Sequence, residues 1–178
     1  MDGIETVFAV NHLAYFLLTR LLLARLSESG RARIVNVASG AHKQGQLDFE
    51  DLQSERAYRV MRVYGLSKLC NILFTRELAR RLAGTGVTAN CLNPGAVATR
   101  LGQNNGWWAV LLMKALRPLF RSTVRGAETP IYLASSLEVE GVSGKYFVDC
   151  REVDPSPAAQ DDDAAKRLWQ VSAAMTGC

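Results

Sequence analysis

Short β-branched runs set between long helical stretches constrain this chain more than any other feature. Arg33–Ala38 (RIVNVA) follows a break at Gly30 and ends at Ser39-Gly40, so it reads as a buried strand. Gly86–Leu92 (GVTANCL) reads as a second strand, closed by Asn93-Pro94-Gly95, and Gly144–Cys150 (GKYFVDC) as a third. Ile4–Leu26 reads as a helix, with Ile4, Val7, Phe8, Ala14, Leu18 and Leu22 at helical spacing. Val10, Leu13, Phe16, Leu17, Leu21 and Leu23 fill much of its other side, which predicts burial on more than one face. Ala57–Leu82 is a second long helix, stopped by Gly84. Its Glu77 precedes Arg81 by four residues, the favourable order for an exposed pair. Trp107–Phe120 and Thr123–Ser135 are further helical pieces. Pro155 and Pro157 mark a linker before a last helix, which Asp161–Asp163 open with carboxylates at the positive dipole end and which runs through Met175. This order predicts one domain over residues 1–178, an α/β fold with an open, Rossmann-like parallel sheet of about three strands and flanking helices. Doubly wound sheets of this kind usually have more strands, so the pattern matches the C-terminal part of such a fold.

Composition narrows the function classes. Of the 178 residues 48% are hydrophobic and 21% charged, which excludes a disordered tail or a disulfide miniprotein. The net charge of +4 comes from basic and acidic residues interspersed, and no nucleic-acid patch emerges. Arg20, Arg25, Arg31 and Arg33 read as solvated helix ends and loops. The four cysteines form no C-x-x-C pair and only His12 and His42 accompany them, so no metal site is expected. Ala9–Leu23, the most apolar stretch, is interrupted by Asn11, His12 and Arg20, short of the about 20 apolar residues a membrane span needs. With no basic segment at the start to suggest secretion, the expectation is a cytoplasmic protein with reduced thiols and no membrane span.

One spacing carries chemistry. Tyr64 and Lys68 stand four apart on the second long helix, on one face, separated by about 6 Å of axial rise. A phenol with its ordinary pKa of about 10 is a poor base at neutral pH, and a nearby ammonium favours the phenolate. Lowering it by about 3 units takes roughly 4 kcal/mol of differential interaction. The plain alternative is a surface tyrosine beside a solvated lysine. Ser39 ends the first strand, at the sheet edge where such folds hold ligands, or is simply a turn serine. Asn11 interrupts an apolar helix face in line with Phe8, Ala14 and Leu18, as a water-holding amide or a packing amide. Asn93-Pro94-Gly95-Ala96-Val97-Ala98-Thr99 makes a sharp turn after the second strand, able to lie over a flat ring.

Taken together, Val10-Asn11-His12-Leu13, the run Arg33 to Ser39, Tyr64-Gly65-Leu66-Ser67-Lys68, the run Asn71 to Leu78, Gly86 to Gly95 and Gly144 to Phe147 resemble the short-chain dehydrogenases/reductases, and within them the retinol-dehydrogenase-like branch. The resemblance implies NAD(P)-dependent hydride transfer between nicotinamide and an apolar alcohol, aldehyde or ketone. It implies Tyr64 as acid/base, Lys68 as the residue that lowers the tyrosine pKa and binds the nicotinamide ribose, Ser39 as the oxygen-orienting serine and Asn11 as the water holder. Pro94, Gly95, Val97 and Thr99 resemble the lip over the nicotinamide. NADP is the expected cofactor, with NAD possible, and the substrate a small apolar carbonyl or alcohol. The family's T-G-x-x-x-G-x-G loop and its N-A-G segment do not occur in this sequence. The string Gly84-Thr85-Gly86-Val87-Thr88-Ala89 lies between a helix and a strand, the reverse of the order that aims amides at phosphate. Two readings follow: a dehydrogenase/reductase in which Trp107-Trp108 and Val110–Met113 wall an apolar substrate, or an inactive truncated fragment serving as an interaction or dimerisation module without cofactor binding. In the second, residues 3–26 and 57–83 resemble the helices through which relatives form homo-oligomers.

Overall fold

The computed structural model describes residues 3–97 and 120–178. Thr99 and the helical piece expected from Trp107 lie outside them, apart from Phe120. The first helix, α1, runs Thr6–Glu28 and contains one π-helical turn, Ala9–Leu13. The Glu5 carboxylate caps it by accepting from the Val7 and Phe8 amides. Then come strand β1 (Ala32–Val37), helix α2 (Val60–Arg81), strand β2 (Val87–Asn93), helix α3 (Thr123–Ser135), strands β3 (Tyr146–Val148) and β4 (Arg151–Glu152), and helix α4 (Asp162–Thr176). The Asp161 side chain caps α4 by accepting from Asp163 and Ala164 amides, in the place the three aspartates suggest.

The sheet has the order β1-β2-β3-β4. β1 and β2 pair in parallel from Ala32↔Val87 to Val37↔Leu92, and β2 pairs in parallel with β3. The expected sheet of about three parallel strands gains an antiparallel fourth. Gly144–Cys150 is therefore not one strand: the chain turns at Asp149 and Cys150, both at positive φ, and returns as β4. The linker at Pro155 and Pro157 is also more ordered than expected, since Pro157–Gln160 forms a 3-10 turn that buries Ala159.

α2 is the spine of the fold. Fourteen of its 22 residues are buried, and Leu69, Ile72, Leu73 and Leu78 have no exposed surface. It packs on β1 and β2, on α1, and on α4, whose Trp169 stacks on Phe74 while Phe16 of α1 meets the same indole edge-on. Glu77 does not form the exposed pair its spacing suggests. It is buried and ion-paired to both Arg80 and Arg81, and the Arg81 guanidinium lies 4.3 Å from the Trp169 ring centre. α1 also departs from expectation. It buries Phe8, His12, Leu13 and Phe16, but Val10, Leu18 and Leu21 on its outer side are 60–69% exposed. By length and composition α1 is apolar enough to cross a membrane despite Asn11, His12 and Arg20. In this fold its inner side packs on α2.

Two glycines set how closely the turn after β1 approaches α2. A Cβ on Gly45 would lie 2.6 Å from the Gly65 carbonyl oxygen, and one on Gly65 would lie 2.7 Å from that of Ala41. Backbone therefore rests directly on backbone beside Tyr64.

Candidate active site

The carboxyl ends of β1 and β2 open into a cleft of about 710 Å³. Its lining includes Ser39 from the end of β1, Tyr64 and Lys68 from α2, and Pro94, Gly95 and Val97 from the turn after β2. Six residues spread over 59 positions of sequence thus face one space, because a parallel sheet delivers consecutive strand ends to the same edge. Phe120, Thr123 and Gly126 close the far wall. The turn is braced there: Val97 and Arg121 form a parallel bridge, and Arg121 lies against Gly95 and pairs with Asp149. Gly95 sits at φ +78, where a side chain would be strained and would also strike the Arg121 guanidinium.

Lys68 is 7% exposed, and its Nζ donates to the Val37 carbonyl at 3.1 Å. That ammonium lies 5.7 Å from the centre of the Tyr64 ring and 5.9 Å from that of Tyr15. Burial lowers the Lys68 pKa from its ordinary value, because desolvation penalises the charged form. Burial and the neighbouring Tyr64 raise that of Tyr15. The Tyr64 carbonyl accepts from Ser67 Oγ at 2.8 Å, and Ser67 Oγ in turn accepts from Asn11 Nδ2 at 3.1 Å. Asn11 therefore reaches the Tyr64 helix from the π-turn of α1 through one serine, and does not itself line the cleft. Ser39 Oγ accepts from the Ala41 amide at 3.2 Å, which leaves its hydroxyl proton free to donate into the cleft.

Three neighbours of this arrangement escaped the sequence reading. Asn71 donates to the same Val37 carbonyl at 3.4 Å, and its place three residues after Lys68 on the helix was a usable signal. Tyr15, four residues after Asn11, was legible in the same way. His42, bonded to the Ser39 carbonyl, carried no periodic signal because it lies in a 3-10 turn. Chemically, the cleft combines a phenol, an ammonium and a hydroxyl donor around one small space with an apolar rim. That set can pass a proton to or from an oxygen atom.

Several known proteins are similar to this chain. A short chain dehydrogenase family model matches residues 1–109. Human retinol dehydrogenase 14 is 52% identical over 181 residues, and mouse retinol dehydrogenase 12 is 48% identical over 176. Each alignment takes in 99% of this chain but only 53% and 55% of the relative, so the chain spans about half the length of the curated relatives it matches. Among solved structures, an uncharacterised protein from Mycobacterium Paratuberculosis superposes with a TM-score of 0.74 at 31% identity, over 99% of this chain and 60% of the other. A 3-oxoacyl-[acyl-carrier protein] reductase from Brucella melitensis superposes with a TM-score of 0.53 at 25% identity, over 76% of this chain and 47% of that one.

Proposed function

Since the chain belongs to the short chain dehydrogenase family, we propose that it carries the proton-transfer half of an NAD(P)-dependent oxidoreductase site acting on an apolar alcohol, aldehyde or ketone. The observation that supports this most is the convergence of Ser39, Tyr64 and Lys68 with the Pro94–Gly95–Val97 turn on one cleft. The residues present fit the nicotinamide end of the cofactor. Tyr64 and Lys68 would hold its ribose, and Pro94, Gly95 and Val97 would face the ring, with Thr99 continuing the same turn in sequence. A glycine-rich loop of the family's T-G-x-x-x-G-x-G form, which would cradle the pyrophosphate, does not occur in this sequence. When bound, a nicotinamide supplies or accepts the hydride.

The chain's own residues manage the oxygen. Ser39 donates its free hydroxyl proton to the substrate oxygen and fixes its position. Tyr64 gives that oxygen a proton during reduction and takes it back during oxidation. Lys68, held by Val37, keeps its ammonium 5.7 Å from the centre of the Tyr64 ring. Asn11 steadies the helix beside Tyr64 through Ser67. The homology to retinol dehydrogenases supports an apolar substrate.

The test is fluorescence titration of the purified chain with NADPH and NADH, followed by turnover of an apolar aldehyde. Quenching by either cofactor is expected, with activity that falls at least a hundredfold in Tyr64→Phe while the thermal transition stays in place. Activity that survives Tyr64→Phe removes the tyrosine from its role. No quenching at millimolar cofactor favours the second reading, an interaction or dimerisation module, to which the exposed Val10, Leu18 and Leu21 of α1 lend support.

A further inference from the structure

His42 is one of only two histidines, and it is 1% exposed directly behind Ser39. The Ala38 amide makes the last ladder bond of β1, to the Leu92 carbonyl at 2.8 Å. Ser39 lies beyond the ladder, so its backbone needs another support. That support is His42. The Ser39 carbonyl accepts from the His42 backbone amide at 3.1 Å and meets the ring Nδ1 at 2.7 Å. The other ring nitrogen, Nε2, accepts the Ser156 backbone amide at 3.1 Å. A backbone amide can only donate, so Nε2 carries the lone pair and Nδ1 the proton. The ring is therefore neutral, in one tautomer, with both nitrogens engaged. Tyr146 packs against it edge-on, with centres 5.2 Å apart. Burial also lowers its pKa, which keeps it neutral.

We propose that His42 is a positioning residue, which holds the Ser39 carbonyl through Nδ1–H and thereby aims the Ser39 hydroxyl into the cleft, with Ser156 fixing the ring from behind. The proposal rests on the reading of Ser39 as the residue that steadies the substrate oxygen. It links the site to the segment before α4, 114 residues away in sequence. A glutamine can offer the same one donor and one acceptor, whereas phenylalanine keeps the ring shape and offers neither.

The experiment uses the full chain in three measurements. Imidazole ¹⁵N spectra at neutral pH should show His42 protonated on Nδ1 and bare on Nε2; the opposite tautomer overturns the proposal. Hydrogen exchange at the Ala41 amide, which bonds Ser39 Oγ, should speed up about tenfold or more in His42→Phe and stay near wild type in His42→Gln. Unchanged exchange in His42→Phe overturns it. In turnover assays, kcat of His42→Phe should fall about tenfold to a hundredfold at nearly constant cofactor KM. Glutamine should restore most of it, and Ser39→Ala/His42→Phe should be no slower than Ser39→Ala. An equal loss in the Ser39→Ala background points to a general structural role and overturns the proposal. If His42→Phe does not fold, the wild-type tautomer and the His42→Gln exchange and rate decide, and a tenfold loss in either overturns it. A wild-type chain without turnover defeats the oxidoreductase reading alone, because the tautomer and exchange measurements still decide the role of His42.

Discussion

The two long helices make a useful contrast. α1 has 23 residues and α2 has 22, and each carries part of the site. α2 is surrounded on nearly every turn, while α1 buries one side and leaves Val10, Leu18 and Leu21 open. By composition α1 is the more apolar of the two, yet α2 is the more buried. Apolar content therefore states what a helix can bury, and its place in the chain's topology decides what it does bury. α2 sits between the sheet, α1 and α4, so even Lys68, Asn71 and Glu77 are enclosed with it. That enclosure is what desolvates the Lys68 ammonium beside the half-buried Tyr64.

Leucine truncation tests the contrast most directly. Leu73→Ala on α2 should lose about 2–5 kcal/mol in urea denaturation, as fully buried leucines do. Leu21→Ala on α1, 69% exposed, should stay within about 0.5 kcal/mol of wild type. Equal losses at the two positions would break the distinction.

His12 sharpens it from the buried side of α1. Its Nε2 contacts Ser172 Oγ at 2.8 Å, and the Asn71 amide lies by the ring, but complete burial dominates and lowers its pKa from 6.5 to about 4. Between these values the unfolded chain binds more protons than the folded one. Stability is thus at full value above pH 6.5 and declines as the pH falls, by about 3 kcal/mol at pH 4. His12→Gln should show a shallower loss between pH 7 and pH 4.5 in paired urea titrations. Identical slopes would place the acid sensitivity elsewhere.

A more modest loss than at Leu73 or His12 is expected where α2 meets the turn after β1. Gly45→Ala places a methyl 2.6 Å from the Gly65 carbonyl, so the turn must shift, at about 1–3 kcal/mol. Because that turn follows Ser39, turnover should fall along with the melting temperature. A variant as stable and as active as wild type would mean that the contact relaxes freely.

Much of this was legible in the sequence. The helix read at Thr123–Ser135 is α3 with the same bounds, and helical spacing brings Tyr64 and Lys68 together. What stayed hidden depended on contacts distant in sequence. β4 is two exposed, charged residues, Arg151 and Glu152, which become a strand only by pairing with β3. Glu77 has the pattern of a surface pair but is buried, and its partner Arg81 lies over Trp169 of α4. The His42–Ser156 bond has no local trace at all. The open face of α1 could not be told from a buried one, since Val10, Leu18 and Leu21 are as apolar as core residues.

The alternation of strand backbone has one more consequence. Because the Ala38 amide points to β2, the peptide groups of Val37, one residue earlier, point the opposite way. That parity is why the Val37 oxygen is available to both Lys68 and Asn71. A slip of a single residue between β1 and β2 would present the lysine with a carbonyl already committed to the neighbouring strand. Strand register and the anchoring of the ammonium are thus one constraint.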